Sequence, residues 1–218
     1  VLKAAVEEAH RMNVPIVPHT LSAQGVRNVV EAGVDQLIHA RWYHSDPNQG
    51  LDYTPDTVKQ MVDQGQWVDP TIGHHLLGIE AKARGEIGPM DPHWAVSFKV
   101  VPEADHVETL NKMHDAGVRF TTGLDMGMTY GTHDRSAANA WAFVETLGWA
   151  NWKAINAATA GTAEALGLVK QIGSLQAGMF ADMAAFAGDP AQNIRDMDQA
   201  STVVQSGRLL KLNDMILV

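Results

Sequence analysis

Two histidines and an aspartate stand at comparable places along this sequence. His19 lies six residues after Asn13, His39 six after Gly33, and Asp125 eight after Gly117. Two imidazoles and one carboxylate brought to a point form a mixed nitrogen–oxygen donor set, which suits a divalent metal, Zn first and Mn, Fe or Co as alternatives. Such an ion lowers the pKa of a water molecule and polarises a carbonyl or phosphoryl oxygen. Asp125 has the further capacity to take the water's proton and pass it to a leaving group. A lone histidine at a strand end is more often structural. Two at equivalent places in successive repeats, with an aspartate in a third, carry more weight.

The other histidines sort by context. His74 and His75 follow a short apolar run in "TIGHH" and are read as substrate contacts or extra ligands, against the plainer reading of a polar loop. His133 follows Asp125 in "MGMTYGTHDRS" and is a further candidate. After His39, the residues Arg41, Trp42, Tyr43 and His44 can line a pocket, and Tyr43 joins His74, His75 and His133 as an expected substrate contact. His10, His106 and His114 fall on helical patterns and are expected to face solvent, while His93 lies in an irregular stretch. The ten Met mostly fall at helix-core spacing and read as core filler. There is no Cys, which removes disulfides and thiolate ligands. Neither a GxSxG elbow nor an HExxH helix is present.

Something must position these groups. Four segments share one design: "RMNVPIVPHT", "EAGVDQLIHA", "DQGQWVDPT" and "DAGVRFTTGLD". In each, a helix ends at Asn13, Gly33, Gly65 or Gly117, residues that tolerate the left-handed conformation just past a helix. A short apolar run follows, and a polar residue closes it (Thr71 in the third segment). Between them lie helices with readable starts: Ser22 before Val26, Val29 and Val30; Thr54 and Pro55 before Val58, Met61 and Val62; Pro102 before Val107, Leu110 and Met113. Strands alternating with such helices indicate βαβ units and a parallel sheet, curling in one right-handed sense. With no Gly-rich phosphate loop after a strand, and with polar residues gathered at strand C-terminal ends, the expected fold is α/β: a partial (β/α)8 barrel, about the last four units. Gly85–Pro102 reads as a long loop on the same face, and helices are expected around Ala137–Leu147 and Trp152–Ala160. From Gly173 the chain is short-stranded and Gly-punctuated, a small C-terminal β appendage. The expected division is 1–165 for the half barrel and 166–218 for the β segment.

Composition narrows the partners. Over 218 residues, 45% are hydrophobic and 19% charged, ordinary values for a globular chain. A net charge of -9 with no basic run argues against nucleic acid. No apolar stretch approaches 18 residues, so no membrane partner is expected. The sequence opens at Val1 inside an amphipathic pattern of Leu2, Ala5, Val6 and Ala9, with no signal peptide pattern. Localisation is left open, with the cytoplasm favoured. An opening inside a helix suggests an absent upstream part or a borrowed surface.

At these residues the sequence resembles the imidazolonepropionase-like and prolidase-like amidohydrolases. "VPIVPHT" and "GVRNVVEAGVDQLIHA" are similar to the stretch that supplies two metal-ligating histidines there, and "RFTTGLDMG" to the last barrel strand with its catalytic aspartate. "NWKAINAATAGTAEALGLVKQIGSLQAGMFADMAAFAGDP" and "VVQSGRLL" resemble the C-terminal signature, where a helix leads into a composite β-sandwich. The resemblance implies His19 and His39 as ligands and Asp125 as ligand and proton shuttle. It implies hydrolysis of an amide, cyclic amide or ester in a small molecule: a dipeptide, N-acyl amino acid, lactone or phosphotriester. The family's HxH strand and its carboxylated Lys or Glu have no counterpart in this chain. Two alternatives therefore stand: a catalytically incomplete half barrel serving as scaffold or subunit, and a metal-dependent deaminase. Four barrel strands leave open edges, so either a missing N-terminal half or a second copy in a homodimer is expected to close the barrel.

Overall fold

The computed structural model describes residues 1–46, 48–86, 103–127, 130–213 and 215–217. Helix α1 (Leu2–Arg11) leads to β1 (His19–Ser22), α2 (Ala23–Ala32), β2 (Gln36–Tyr43), α3 (Pro55–Asp63), β3 (Trp67–Asp69) and α4 (Ile72–Ala83). Then come α5 (Glu103–Asp115), β4 (Arg119–Phe120), α6 (Ala138–Glu145) and α7 (Asn151–Asn156). A π-helical turn (Ala157–Gly161) joins α7 to α8 (Thr162–Ala165). Strands β5 (Met183–Phe186), β6 (Ala200–Gln205), β7 (Arg208–Leu212) and β8 (Met215–Ile216) follow, with a 3-10 turn (Ile194–Asp198) before β6.

Two sheets result. β1 to β4 run parallel in sequence order. β5 to β8 form an antiparallel meander. The helix-ending residues behave as their types dictate: Asn13, Gly33, Gly65 and Gly117 all have positive φ, at 55°, 80°, 70° and 103°. Ser22 caps α2, accepting from the Gly25 amide at 3.0 Å. Thr54 departs from expectation. It makes no side-chain cap on α3, because its hydroxyl accepts from the Arg27 guanidinium at 3.1 Å. Pro102 and His93 lie outside the described residues, as does most of Gly85–Pro102. The stretch just before it, Ile72–Ala83, is helix α4, where a polar loop is the plainer reading of "TIGHH".

The core sits between the parallel sheet and its helices. Val26 and Val30 of α2, Leu37 of β2, Val58 and Met61 of α3, Val68 of β3 and Met113 of α5 are fully buried there. Trp42 belongs to this core, fully buried with its indole N–H on Met113 Sδ at 3.3 Å. It is therefore a packing residue, not a pocket wall. Helix α6 buries Trp141 and Phe143. It also crosses α4 closely enough that an added Cβ at Gly73 would stand 2.6 Å from the Asn139 backbone nitrogen. The Gly73 amide instead donates to Asn139 Oδ1 at 2.6 Å. That contact fixes where α4 begins and hence where His74 and His75 stand.

Candidate functional site

The C-terminal ends of the parallel strands carry unusual backbone. His39 (φ 69°), Ala40 (47°) and Trp42 (59°) on β2, Thr71 (48°) after β3 and Asp125 (56°) after β4 all lie in the left-handed region without being glycine. Each costs of order 1–3 kcal/mol, and such strain clusters where a site over-determines it. The remaining non-glycine cases, Asn13, Ser206 and Asn213, sit at a helix end and in the turns that follow β6 and β7.

Around this strained ring the side chains converge. His19 opens β1 opposite Ile38, and His39 stands one residue further along β2, opposite Thr20, with His39 Nε2 2.9 Å from His19 Nδ1 and the rings edge to face at 4.5 Å between centroids. The other nitrogen of His39, Nδ1, meets Thr71 Oγ1 at 2.7 Å. Burial pushes the His39 imidazole down to about 4, helped by the charges of His19, Arg41 and His74 and opposed by Asp125. Asp125 is exposed and lies in the loop beyond β4, which ends at Phe120, instead of closing the strand itself. The structure thus brings His19 and His39 into contact and sets Asp125 and His74 in their electrostatic neighbourhood.

His74 and Tyr130 stack at 5.8 Å between centroids. His133 is exposed, its Cε1 3.9 Å from where a Cβ on Gly127 would stand. Tyr43 and His75 belong to a second group deeper in the fold. Tyr43 packs edge-on against His106 at 5.4 Å. His75 is buried, and burial followed by the Arg41 charge pushes it down to about 3. His106 and His114 are not solvent-facing. His106 is buried, pushed down to about 3 by burial and by Arg41, while His114 is half-buried, 4.5 Å from the Trp149 ring. Helical periodicity alone does not say which face of α5 meets the sheet.

Sequence reasoning missed Asp69, the last residue of β3. It is 7% exposed, and burial pushes it up to about 6 although the Thr71 and Gly123 amides and the Thr121 hydroxyl bind its charged form. The available signal was an aspartate ending an otherwise apolar strand, just before Pro70 and Thr71.

Among the described residues, no group of three His, Asp or Glu side chains stands together as a ready metal cage. The pair geometry nevertheless fits a metal. Two imidazole nitrogens on one tetrahedral ion, each about 2.0–2.1 Å away, lie roughly 3.3 Å apart, which a small opening of the 2.9 Å contact reaches. Thr71 on Nδ1 leaves Nε2 of His39 as the nitrogen turned toward His19. No helix among the described residues is long and apolar enough to cross a membrane.

Comparison with known proteins places this arrangement. The model of the Amidohydrolase family matches residues 1–210. Uncharacterized proteins of Mycobacterium tuberculosis and Mycobacterium bovis are each 26% identical over 210 residues, covering 95% of this chain and 51% of theirs. A Xaa-Pro dipeptidase with methionine bound in its active site superimposes with a TM-score of 0.74 at 24% identity, over 96% of this chain and 48% of its own. The A. niger ochratoxinase gives 0.74 at 23% over 98% and 45%, and molinate hydrolase 0.70 at 26% over 96% and 45%. The chain spans about half the length of the relatives it matches.

Proposed function

The chain belongs to the amidohydrolase family, and from that premise we propose that it forms the metal-binding part of a hydrolase cleaving an amide or ester bond in a small molecule. The observation that carries the reading is the His19–His39 contact, two imidazole nitrogens 2.9 Å apart on adjacent parallel strands. His19, His39 and Asp125 would hold a divalent ion, with Zn the favoured metal for two nitrogens and one oxygen. Bound there, the ion supplies a water of lowered pKa and polarises the scissile carbonyl. Asp125, exposed in the mouth, accepts the attacking water's proton at a carboxylate oxygen and delivers it to the leaving nitrogen or oxygen. Burial keeps His39 neutral at pH 7, the state a ligand histidine needs. His74 with Tyr130, and Tyr43 with His75 behind them, form the wall on which the substrate is oriented; His133 approaches from the loop beyond Asp125. The similarity to a Xaa-Pro dipeptidase supports a substrate of the dipeptide class.

The same reading makes the four β/α units a half of a (β/α)8 barrel. Among the described residues β1 pairs only with β2 and β4 only with β3. An open edge of this kind recruits further strands, from the remainder of a longer chain or from a second copy. A stable monomer of the 218-residue chain in a size measurement removes the second-copy version.

A second reading has its own support. The lack of a three-residue metal cage among the described residues favours a scaffold half that does no chemistry by itself. Elemental analysis after dialysis decides, with the His19→Ala, Asp125→Ala double variant alongside. Near-stoichiometric Zn, Mn, Fe or Co in the wild type and none in the variant supports the hydrolase. Screening dipeptides, N-acyl amino acids, lactones and phosphotriesters then finds the substrate. Metal in neither protein overturns the hydrolase reading for this chain.

A further inference from the structure

A buried carboxylate is costly unless its oxygens are hydrogen-bonded, and Asp69 answers that requirement with backbone from both sides of the site. Oδ1 accepts from the Thr71 amide at 3.1 Å. The carboxylate also accepts from the Gly123 amide and the Thr121 hydroxyl, and Thr121 in turn receives the Gln36 amide side chain from β2.

Two arms leave this one group. The first runs toward the histidines. Thr71, held at φ 48°, presents its hydroxyl to His39 Nδ1 at 2.7 Å, which turns His39 Nε2 onto His19. The second runs toward Asp125. Thr121 and Gly123 precede it by four and two residues, in chain outside any helix or strand that turns left-handed at Asp125 itself (φ 56°). Gly123 makes the second arm possible, since a Cβ there would overlap Asp69 Oδ2. Asp69 touches neither His19, His39 nor Asp125 through any hydrogen bond described above, yet His39 is reached through Thr71 alone, His19 through His39, and Asp125 through two residues of chain beyond Gly123.

We propose that Asp69 is the positioning residue of this site, a single buried carboxylate that sets the orientation of the His39 ring through Thr71 and the course of the Asp125 loop through Gly123 and Thr121. This rests on the reading of His19, His39 and Asp125 as the site and deepens it. Asp69→Asn keeps the volume and one acceptor oxygen but turns an NH2 donor toward an amide N–H or a hydroxyl, so at least one arm breaks. Gly123→Ala keeps the carboxylate and pushes it aside.

The test needs no metal and no substrate. The 15N-labelled 218-residue chain and both variants are compared by imidazole 1H–15N correlation spectra at pH 7, with far-UV circular dichroism beside them. The exposed His10, paired with Asp35 at 2.9 Å, is the internal reference. The expected result is that the His39 and His19 ring signals shift in at least one folded variant while His10 stays in place. His39 signals that coincide with the wild type in every variant that folds overturn the proposal. So does a His10 shift as large as that of His39, or failure of both variants to fold, because Asp69 is then a general fold determinant. A chain that binds no metal and turns nothing over would sink the hydrolase reading and leave this result standing.

Discussion

The two sheets of this protein solve different problems. The parallel sheet β1–β4, with the loops and helices that adjoin it, is under load: five non-glycine residues with positive φ, a buried carboxylate pushed up to about 6, and buried histidines pushed down to about 3. The antiparallel sheet β5–β8 shows none of this. Its positive-φ residues, Ser206 and Asn213, lie in turns after β6 and β7, where such backbone is the norm. Its strand faces leave Met183, Leu209, Leu212, Met215 and Ile216 exposed. Strain and buried polarity gather around the candidate site, and the region away from it keeps ordinary backbone.

The sharpest break of this comparison is chemical. Once a substrate is found, Asp125→Asn should lower kcat/KM by about 10²–10⁴-fold, the usual worth of a positioned acid–base group. No single change in β5–β8 should exceed a few-fold. Steady-state kinetics on the paired variants checks this, and equal losses from Leu209→Ala would erase the distinction.

Packing separates the regions next. Phe143 is fully buried in α6 beside Phe120 and Trp149, so Phe143→Ala should cost about 3–5 kcal/mol. Leu209 is 41% exposed, and Leu209→Ala should stay within about 0.5 kcal/mol. Urea midpoints with unchanged slopes report both.

Acid should unload the first region selectively. His75 and His106 are held near 3 by burial and the Arg41 charge, with His74 and Tyr43 also facing them. The unfolded chain therefore binds more protons than the folded one between pH 6.5 and 3, and stability falls as pH drops through that window. The slope is up to about 1.4 kcal/mol per pH unit for each histidine. Asp69, raised to about 6, works the other way between pH 6 and 3.8 and roughly offsets a third depressed histidine, His39, held down to about 4. Unfolding midpoints at pH 7 and 4.5 should show the net loss, and a His75→Gln, His106→Gln double variant should lose most of that slope.

The smallest expected effect is a capping contrast within the first region. Ser22→Ala removes a side-chain cap and should cost about 1 kcal/mol. Thr54→Ala removes only a half-exposed hydroxyl contact with Arg27 and should cost less. Thermal melts rank them.

Legibility in the sequence divides along the same line. The repeat of helix end, apolar run and polar closer was readable because each part obeys a local rule: left-handed residues past a helix, alternating elements, short strands. It led to His19 and His39, which do meet. Asp69 was not readable, because its meaning lies in amides from Thr71 and Gly123, and Gly123 is distant in sequence. His106 was misread for a related reason. The periodicity of α5 places it on a helix, but only packing against Tyr43 and the neighbourhood of Arg41 bury it. Helix α4 was hidden by its own histidines, which look like loop until the Gly73–Asn139 contact gives the helix an anchored start.

That anchored start limits how this protein can change. At Gly73 a single methyl group would meet backbone atoms of Asn139, which have no rotamer to yield. In a saturation library, position 73 should therefore return almost nothing but glycine, while exposed positions a turn or two along α4, such as Lys82, accept many residues. Helix α4 can therefore vary along its exposed length while its first turn cannot, and any divergence among descendants of this chain would run around that glycine and never through it.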